Sequence, residues 1–364
     1  MTTATATVGV HMTGSEWFGA TPGGLNRYFT DLYRALAQQP EMAVTAAAFG
    51  TADHAGAGSW GPTGGSTLHR TRTALLARSE LAPGTVLDRH FCLYGPLART
   101  ATSKLPLVVH FHGPWAQESA MAGESARAVR AKYLFERLRY RGADRFIVLS
   151  GHFRDVLERD YHVPADRISV IPPGVDLDRF RAAPLDTTAT TRTVLCVRRL
   201  ERRMGIDVLL RAWPQVSAAH PDARLVVVGT GTAEAELRAA AAELGGTVEF
   251  TGRVGDDELT DLYAEATVSV VPTVALEGFG LIALESLAAG RAPIVTDCGG
   301  LPDAVRGLDP TLVVPAGEPD ALAARLVTAL DGTVPDPAAC RAHAQTFTWD
   351  IAADRHAALY RDLL

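Results

Sequence analysis

The second half of the chain alternates short apolar runs with segments of helical periodicity, and this alternation restricts the possible folds more than any other feature. The apolar runs lie at 194–197, 225–228, 248–250, 268–271, 292–296 and 312–314. Helical segments follow most of them, starting near Gly205, Ala233 and Asp256. Because strands that alternate with helices pair in parallel, this half predicts an α/β domain with a parallel sheet.

The first half repeats the pattern less regularly. Strands are predicted at 8–12, 105–113, 146–149 and 168–171. A helix beginning after Gly24 is predicted from apolar residues at 3.6-residue spacing, namely Leu25, Tyr28, Phe29, Leu32 and Leu36. Residues 50–66, rich in Gly, Ser, Thr and Ala, predict a surface loop or lid. We expect two α/β halves with similar architecture.

The length of 364 residues indicates two domains, at ~150 residues per domain. The break at Pro172-Pro173-Gly174 places the predicted boundary between 1–173 and 174–349, and 182–192 predicts a linker. The C-terminal helix 350–364 is predicted to leave the second domain and pack on the first.

Composition excludes several classes of partner. The net charge is -6 and charged residues make up 21% of the chain, so no general attraction to nucleic acid is expected. The four cysteines are scattered without a C-x-x-C pair, which predicts small buried apolar residues in a reducing compartment. Residues 1–12 lack a basic region followed by a long apolar one, and no run approaches ~20 apolar residues. The expected location is the cytoplasm.

One helix is strongly basic. Residues 125–141 carry Arg127, Arg130, Lys132, Arg137, Arg139 and Arg141. The helix is either a solvated face or a surface for weak contact with a membrane, which would make the protein peripheral at the inner membrane face.

Two carboxylates interrupt the apolar stretch 271–290. Glu277 lies in the loop after a predicted strand, where open α/β sheets bind ligands. Glu285 lies within the apolar stripe of the next helix, so a ligand hydroxyl pair or a basic residue is expected to meet it. Gly280 precedes that helix, whose free amides suit an anion, and Arg199 can add a bidentate pair. These features predict a diphosphate site with a ribose diol at Glu285.

Further candidates lie at other predicted strand ends or helix starts. Gly23 and Gly24 precede a helix and suit a phosphate or a sugar. His110 and His112 end a strand on one face, and no third ligand is spaced to form a metal site with them. The second half adds Gly229, Arg253 and Val254. Strand ends that face each other predict one cleft between the domains.

The segment Glu277-Gly-Phe-Gly-Leu-Ile-Ala-Leu-Glu285 resembles the E-x7-E motif of the family 4 retaining glycosyltransferases. The resemblance covers nearly the whole chain, because other family segments follow in order: Gly23-Gly24, Pro172 to Asp176, Val197 to Gly205, Val228-Gly229, Phe250 to Val254 and Pro315 to Gly317. It implies the GT-B fold, with two Rossmann-like domains, an N-terminal one for the acceptor and a C-terminal one for the donor.

The resemblance also implies roles for single residues. Glu277 would hold donor-sugar hydroxyls, Glu285 the ribose and Arg199 the diphosphate. His112 would be the active-site histidine. The remaining implied donor contacts are through the backbone of Phe279, Gly280, Leu281 and Val254.

The reaction implied is transfer of a sugar from a nucleoside-diphosphate sugar, with a UDP- or GDP-sugar expected, to an acceptor hydroxyl with retention. No cofactor or metal is expected, and Asp176-x-Asp178 is interpreted as structural because it follows the Pro-Pro-Gly break. One departure stands out: Met204 occupies the position of the usual phosphate-binding lysine, and Arg202 or Arg203 would have to replace it.

Two alternatives remain at this point. Nucleotide-sugar epimerases that share the GT-B fold would isomerise the donor without an acceptor. A bilobed sugar-binding protein would bind without turnover.

Overall fold

The computed structural model describes residues 7–77, 81–99, 104–185 and 191–364. The chain divides into two compact units: unit 1 is Met1–Gly174 with Trp349–Leu364, and unit 2 is Val175–Thr348. The predicted linker 182–192 falls partly outside the described residues, and its last residue, Arg192, already belongs to a strand.

Unit 1 contains a seven-stranded sheet whose named strands pair in parallel. The strands are β1 (Val8–Glu16), β2 (Met42–Phe49), β3 (Ala57–Ser59), β4 (Val86–Arg89), β5 (Leu107–Phe111), β6 (Arg145–Val148) and β7 (Ile168–Val170). Their spatial order is β3-β2-β1-β4-β5-β6-β7. The helices that precede unit 2 are α1 (Gly24–Ala37), α2 (Thr67–Leu76), α3 (Trp115–Met121), α4 (Ala126–Tyr140) and α5 (Gly151–Tyr161).

The amphipathic pattern predicted for the first helix is confirmed. Tyr28, Phe29, Leu32 and Leu36 of α1 are all buried. The prediction that 50–66 forms only a loop is wrong, because Ala57–Ser59 pairs with β2 as an edge strand. Strands β2 and β4 were also missed by the sequence reading.

Unit 2 contains a six-stranded parallel sheet in the order β10-β9-β8-β11-β12-β13. The strands are β8 (Arg192–Val197), β9 (Ala223–Val228), β10 (Val248–Gly252), β11 (Val268–Val271), β12 (Pro293–Thr296) and β13 (Val313–Val314). The helices are α6 (Ile206–Ala219), α7 (Glu234–Ala242), α8 (Asp256–Glu265), α9 (Leu281–Ala288), α10 (Pro319–Leu330) and α11 (Pro337–Ala344). All six predicted strands of this half are present.

The last helix, α12 (Trp349–Arg361), packs within unit 1. Its Trp349 ring lies 5.4 Å from the ring of Tyr28 in α1. The Tyr360 hydroxyl donates to Asp88 Oδ2 at 2.7 Å, which ties the helix to the end of β4.

Each sheet has a point at which its strand order reverses. In unit 1 the reversal lies between β1 and β4, and in unit 2 it lies between β8 and β11. Open α/β sheets bind ligands outside the carboxyl ends of the strands at such points. The loops after β4, β8 and β11 are therefore the first places to search for a site.

Two expectations from composition concern the whole chain. All four cysteines are buried and free, as expected. Among the described residues, no helix combines the length and the apolar character needed to cross a bilayer.

Candidate functional site

In unit 2, a buried arginine and a glutamate meet at the carboxyl ends of β8 and β11. The Nη2 atom of Arg198 donates to Thr273 Oγ1 and to Glu277 Oε2. The side chains of Arg198 and Glu277 are only 7% and 15% exposed, so little water screens the pair. Glu277 was predicted from the sequence, whereas in the loop 198–200 only Arg199 was given a role, and not its neighbour Arg198.

The loop that carries Glu277 is held in an unusual backbone conformation. Leu276 has a φ of 54°, a left-handed value that is uncommon for a residue with a β-carbon. Its carbonyl accepts from Arg203 Nη1 at 2.8 Å. The Glu277 carbonyl accepts from the Gly300 amide at 3.0 Å. Side chains and backbone on both sides therefore fix the direction of the carboxylate.

Gly280 is the N-cap of α9 and has a φ of 88°. A β-carbon at this position would lie 2.4 Å from Leu301 Cδ2. Among the described residues no side chain caps this end of the helix, which leaves its first amides available to an anion. Phe279 is buried against Phe347, with ring centroids 5.6 Å apart, so only its backbone can meet a ligand. Leu281, the first residue of α9, is half-buried.

Glu285 lies one turn along α9 and is 8% exposed. The hydroxyl of Tyr263 donates to its Oε2 at 3.2 Å. Burial, followed by the nearby Glu285 charge, raises the pKa of Tyr263 well above its usual value, so the phenol stays a donor. A carboxylate has about four acceptor sites, and a hydroxyl pair from a ligand can use those that remain. A tyrosine had not been foreseen as the partner of Glu285.

The arginines near Met204 differ in what they contact. Met204 is 3% exposed and belongs to the core. Arg202 pairs with Glu236 on the surface at 3.0 Å, whereas Arg203 contacts the loop of Glu277. Arg199 is exposed. Of the two replacements considered for the missing lysine, Arg203 is the one next to the candidate site.

The other predicted donor contacts lie at the ends of β9 and β10. Gly229 lies so close to the loop after β8 that a β-carbon on Gly229 would lie 2.0 Å from the Arg198 carbonyl oxygen. Arg253 is exposed and Val254 is half-buried. The Asp176 side chain accepts from the amides of Asp178 and Arg179, both at 3.0 Å, which is a turn contact.

In unit 1, Gly23 and Gly24 form the exposed start of α1. Gly23 is the N-cap, and a β-carbon on either glycine would meet nothing within 4 Å. The Cα side of both glycines is therefore open, and both residues are exposed.

His112 belongs to a cluster of histidines around the buried Asp88. His90 Nε2 lies 3.1 Å from Asp88 Oδ2, and His112 Nε2 lies 3.3 Å from His90 Nδ1. His110 Nε2 lies 3.1 Å from Asp88 Oδ1, and the rings of His90 and His110 stack at 3.8 Å. His356 of α12 stacks on His110 at 5.2 Å.

Burial controls the charge of this cluster. It lowers the pKa of His110 to about 4 and that of His356 to about 3. Burial, together with His90 and His110, lowers the pKa of His112 well below its usual value. Burial alone would raise the pKa of Asp88, but His110 and His90 outweigh it and hold that pKa well below the usual range. At neutral pH the cluster therefore contains an ionised Asp88 and neutral rings at His110, His112 and His356.

Three of these histidines could hold a metal ion, since one nitrogen from each of His90, His110 and His112 lies within 4.8 Å of the others. The expectation that no third ligand accompanies His110 and His112 is wrong. His90 directly follows β4, whereas His110 lies in β5 and His112 just after it, so the spacing along the sequence did not reveal it.

The basic helix 125–141 corresponds to α4, and its basic residues do not form one surface. Arg139 is 6% exposed and donates to the backbone of Cys92 and Gly95 at 2.7 and 2.9 Å. Lys132 pairs with Glu124 at 2.6 Å. The exposed part of the helix carries two bare leucines among arginines, namely Leu134, Leu138, Arg127, Arg130, Arg137 and Arg141.

Comparison with known protein families gives a match to a glycosyltransferase family in each unit. The family described as Glycosyltransferase Family 4 matches residues 22–179, and the one described as Glycosyl transferases group 1 matches residues 191–332. The chain is 32% identical over 302 residues to D-inositol 3-phosphate glycosyltransferase of Streptomyces scabiei, covering 76% of this chain and 67% of the relative. It is 35% identical over 205 residues to a GDP-mannose-dependent monoacylated alpha-(1-6)-phosphatidylinositol monomannoside mannosyltransferase of Corynebacterium glutamicum, covering 51% and 54%.

Solved structures share the fold over almost the whole chain. Sucrose-phosphate synthase from Thermosynechococcus elongatus aligns with a TM-score of 0.75 at 24% identity, covering 98% of this chain and 99% of that one. Anabaena HepE in complex with UDP-glucose aligns with a TM-score of 0.73 at 18% identity, covering 97% and 99%. The two parallel-sheet units are those of the GT-B glycosyltransferases.

Proposed function

This chain belongs to glycosyltransferase family 4 and is a hexosyltransferase, and we propose that it moves the sugar of a nucleoside-diphosphate sugar to an acceptor hydroxyl, with retention and without a metal ion. The arrangement of Glu277, Gly280 and Glu285 at the switch point of the second sheet carries this proposal. It offers two carboxylates for hydroxyl groups on either side of a helix start that suits phosphate.

Unit 2 binds the donor in this proposal. Glu277 accepts hydrogen bonds from sugar hydroxyls, the amides at the start of α9 meet the diphosphate, and Glu285 accepts from the ribose. One mannosyltransferase relative is GDP-mannose-dependent by name, and HepE was solved with UDP-glucose. We therefore expect a UDP- or GDP-sugar.

The chemical step needs stabilisation of the charge that grows on the leaving phosphate. Arg199 and Arg203 are the arginines proposed for this role, with the α9 amides as fixed donors. In the retaining step the bond from the anomeric carbon to the phosphate oxygen breaks while the acceptor oxygen attacks from the same face. The leaving phosphate takes the acceptor proton, so no carboxylate nucleophile of the kind used by glycosidases is required.

The acceptor is proposed to be a hydroxyl of a polyol or a glycan. Two relatives are named for inositol-containing substrates, so a cyclic polyol phosphate is a suitable first acceptor to test.

The exposed leucines and arginines of α4 support weak contact with an anionic membrane at the inner face. Cosedimentation with anionic but not with zwitterionic vesicles, abolished in a Leu134→Ser, Leu138→Ser variant, tests that contact.

A donor screen tests the proposal. The protein is incubated with UDP-, GDP-, ADP- and dTDP-sugars in EDTA, and slow donor hydrolysis and thermal stability are followed. One donor should be hydrolysed and should raise the melting temperature, since a ligand bound by the native state stabilises it. An epimerised donor without acceptor would indicate the epimerase alternative, and loss of turnover in EDTA would contradict metal independence. The anomeric configuration of the transfer product decides retention.

A further inference from the structure

The hydrogen-bonded side chains of Asp88, His90 and His112 form a relay from the protein interior to His112, the candidate active-site histidine. Asp88 and His90 lie at the end of β4, and both are at most 2% exposed. We propose that Asp88 and His90 are positioning residues that hold His112 in the tautomer with a bare Nδ1, so that His112 accepts a hydrogen bond from a ligand hydroxyl. The inference deepens the proposed function and rests on it only for the role of His112.

The relay starts at the Asp88 carboxylate, a group that can only accept hydrogen bonds. Asp88 is fully buried, and three groups that can donate, namely the Tyr360 hydroxyl and the Nε2 atoms of His90 and His110, face its two oxygens. Tyr360 donates to Oδ2 at 2.7 Å, and His90 Nε2 lies 3.1 Å from the same oxygen. His90 must therefore carry a proton on Nε2.

The second link follows from the chemistry of imidazole. A neutral ring with its proton on Nε2 has a bare Nδ1 that accepts. A doubly protonated His90, which is only 2% exposed, would place a buried positive ring 3.8 Å from the His110 ring and 5.5 Å from the His112 ring. The group that faces His90 Nδ1 is His112 Nε2 at 3.3 Å, so His112 must donate from Nε2.

The third link sets what His112 can recognise. With its one proton on Nε2, neutral His112 presents a bare Nδ1. That nitrogen accepts from a hydroxyl, but it repels the acceptor oxygens of a phosphate. His112 therefore selects a sugar or polyol hydroxyl, and the diphosphate must be bound by other groups.

The side chains around Asp88, His90 and His112 keep this relay in the tautomers described above. The rings that pack against it come from α1, β5 and α12, namely Tyr28, His110, His356 and Tyr360. Burial first, and then the Asp88 charge, raises the pKa of both Tyr28 and Tyr360 well above the usual value, so both phenols stay neutral. The arrangement matches the use of a buried aspartate to fix the tautomer of a catalytic histidine in serine proteases.

The tautomers can be measured directly on the full chain with 15N-labelled histidine. A long-range 1H–15N correlation spectrum at pH 7.5 in EDTA should show His90 and His112 neutral and protonated on Nε2, with signals assigned by His90→Asn and His112→Asn. A His112 protonated on Nδ1, or a doubly protonated His90, would overturn the proposal. It would also fail if both facing nitrogens were unprotonated and their signals shifted when Zn²⁺ was added in buffer without EDTA, because the cluster would then be a metal site.

Two substitutions of His90 each remove a different hydrogen bond of the relay. In His90→Asn the amide takes the place of Nδ1 and can still accept from His112, whereas in His90→Gln it takes the place of Nε2 and reaches only Asp88. We expect kcat/KM to fall about 100-fold more in His90→Gln than in His90→Asn, on the scale of a lost general acid–base contribution. The His112 tautomer should persist only in His90→Asn. Equal losses in two variants with unchanged melting temperatures would overturn the positioning role. Absence of turnover in the unsubstituted protein would contradict the proposed function, but it would not affect the tautomers assigned to His90 and His112.

Discussion

Arg198 donates to the carboxylate of Glu277, so the ends of two adjacent strands, β8 and β11, are joined by a largely buried ion pair. The same guanidinium donates to Thr273 in the β11 loop. A carboxylate held in this way is paired with a positive charge and fixed in direction before any ligand arrives. That is the state in which it accepts hydrogen bonds from hydroxyl groups most strongly.

Replacement of Arg198 with methionine should destabilise unit 2 and slow turnover. The substitution leaves Glu277 without its charged partner, and a lost buried partner costs about 2 kcal/mol where the remaining group still reaches some water. Urea unfolding and donor hydrolysis measure the two effects. Arg199→Met is the matched control, because Arg199 is exposed and its loss should weaken donor binding without lowering stability. Equal stability of the two variants would show that the Arg198 pair has no structural role.

Replacement of Gly280 with alanine should destabilise unit 2 more than the same change at Gly245. Both glycines have positive φ, 88° and 69°, so both substitutions place an L-residue in the left-handed region at a cost of about 1–2 kcal/mol. Only at Gly280 does the new β-carbon also meet Leu301, whereas Gly245 has open space. We expect about 1 kcal/mol of additional loss at Gly280 in urea unfolding. A larger loss at Gly245 would contradict the packing described for the start of α9.

Unit 1 should lose stability as the pH falls from 6.5 toward 4. Burial lowers the pKa of His11 and His110 to about 4 and that of His356 to about 3, whereas the unfolded chain binds protons near pH 6.5. Each such histidine contributes stability that is complete above pH 6.5 and is lost by about 1.4 kcal/mol per pH unit below it. The lowered pKa of Asp88 acts in the same direction at still lower pH.

Urea unfolding at pH 7, 6 and 5 measures this dependence. His356→Gln should reduce the slope by the share of one histidine. His69→Gln, a change at an exposed position on α2, should leave it as it is. Stability that is constant from pH 7 to 5 would contradict the neutral histidine cluster.

In unit 2, apolar runs and helical periodicity were a sufficient guide to the strands. All six strands of unit 2 and the buried helix α9 followed from β-branched runs and from glycine and proline at their ends. In unit 1 the same reasoning missed β2, β3 and β4. Strand β3 has only three residues, and half of β4 is the charged pair Asp88 and Arg89, which is buried. A buried charged residue is stabilised by partners distant in the sequence, so no local pattern predicts it.

The candidate site shows the same limit. Glu277 and Glu285 could be found because both interrupt one apolar stretch, the first in the loop after β11 and the second in the helix α9 that follows it. The choice between Arg198 and Arg199 depends on which of two successive side chains turns inward, since successive side chains of an extended segment point to opposite faces. His90 reaches His112 only through the pairing of β4 with β5. Contacts between strands are set by the sheet order, which the sequence does not state.

Glu285→Gln should weaken nucleotide binding more than it slows the chemical step. The amide lacks the negative charge that we propose accepts from two ribose hydroxyls, and weakening a hydrogen bond to a charged group changes Kd by about 10-fold or more. Calorimetric titration with UDP and GDP measures the effect. Tyr263→Phe is the matched control, because it removes the partner of Glu285 but keeps the charge, and its loss should be smaller. The ribose assignment would be wrong if both variants bound nucleotide as the unsubstituted protein does.

The most direct test of the account is the turnover of Glu277→Gln. In this variant the side chain keeps its size but loses the charge that pairs with Arg198 and that we propose accepts hydrogen bonds from sugar hydroxyls. We predict that kcat falls by about 100-fold or more, the scale of one lost preorganised contact in the transition state, while nucleotide Kd changes little. A folded Glu277→Gln protein that turns over its donor at the rate of the unsubstituted protein would contradict the assignment of this site.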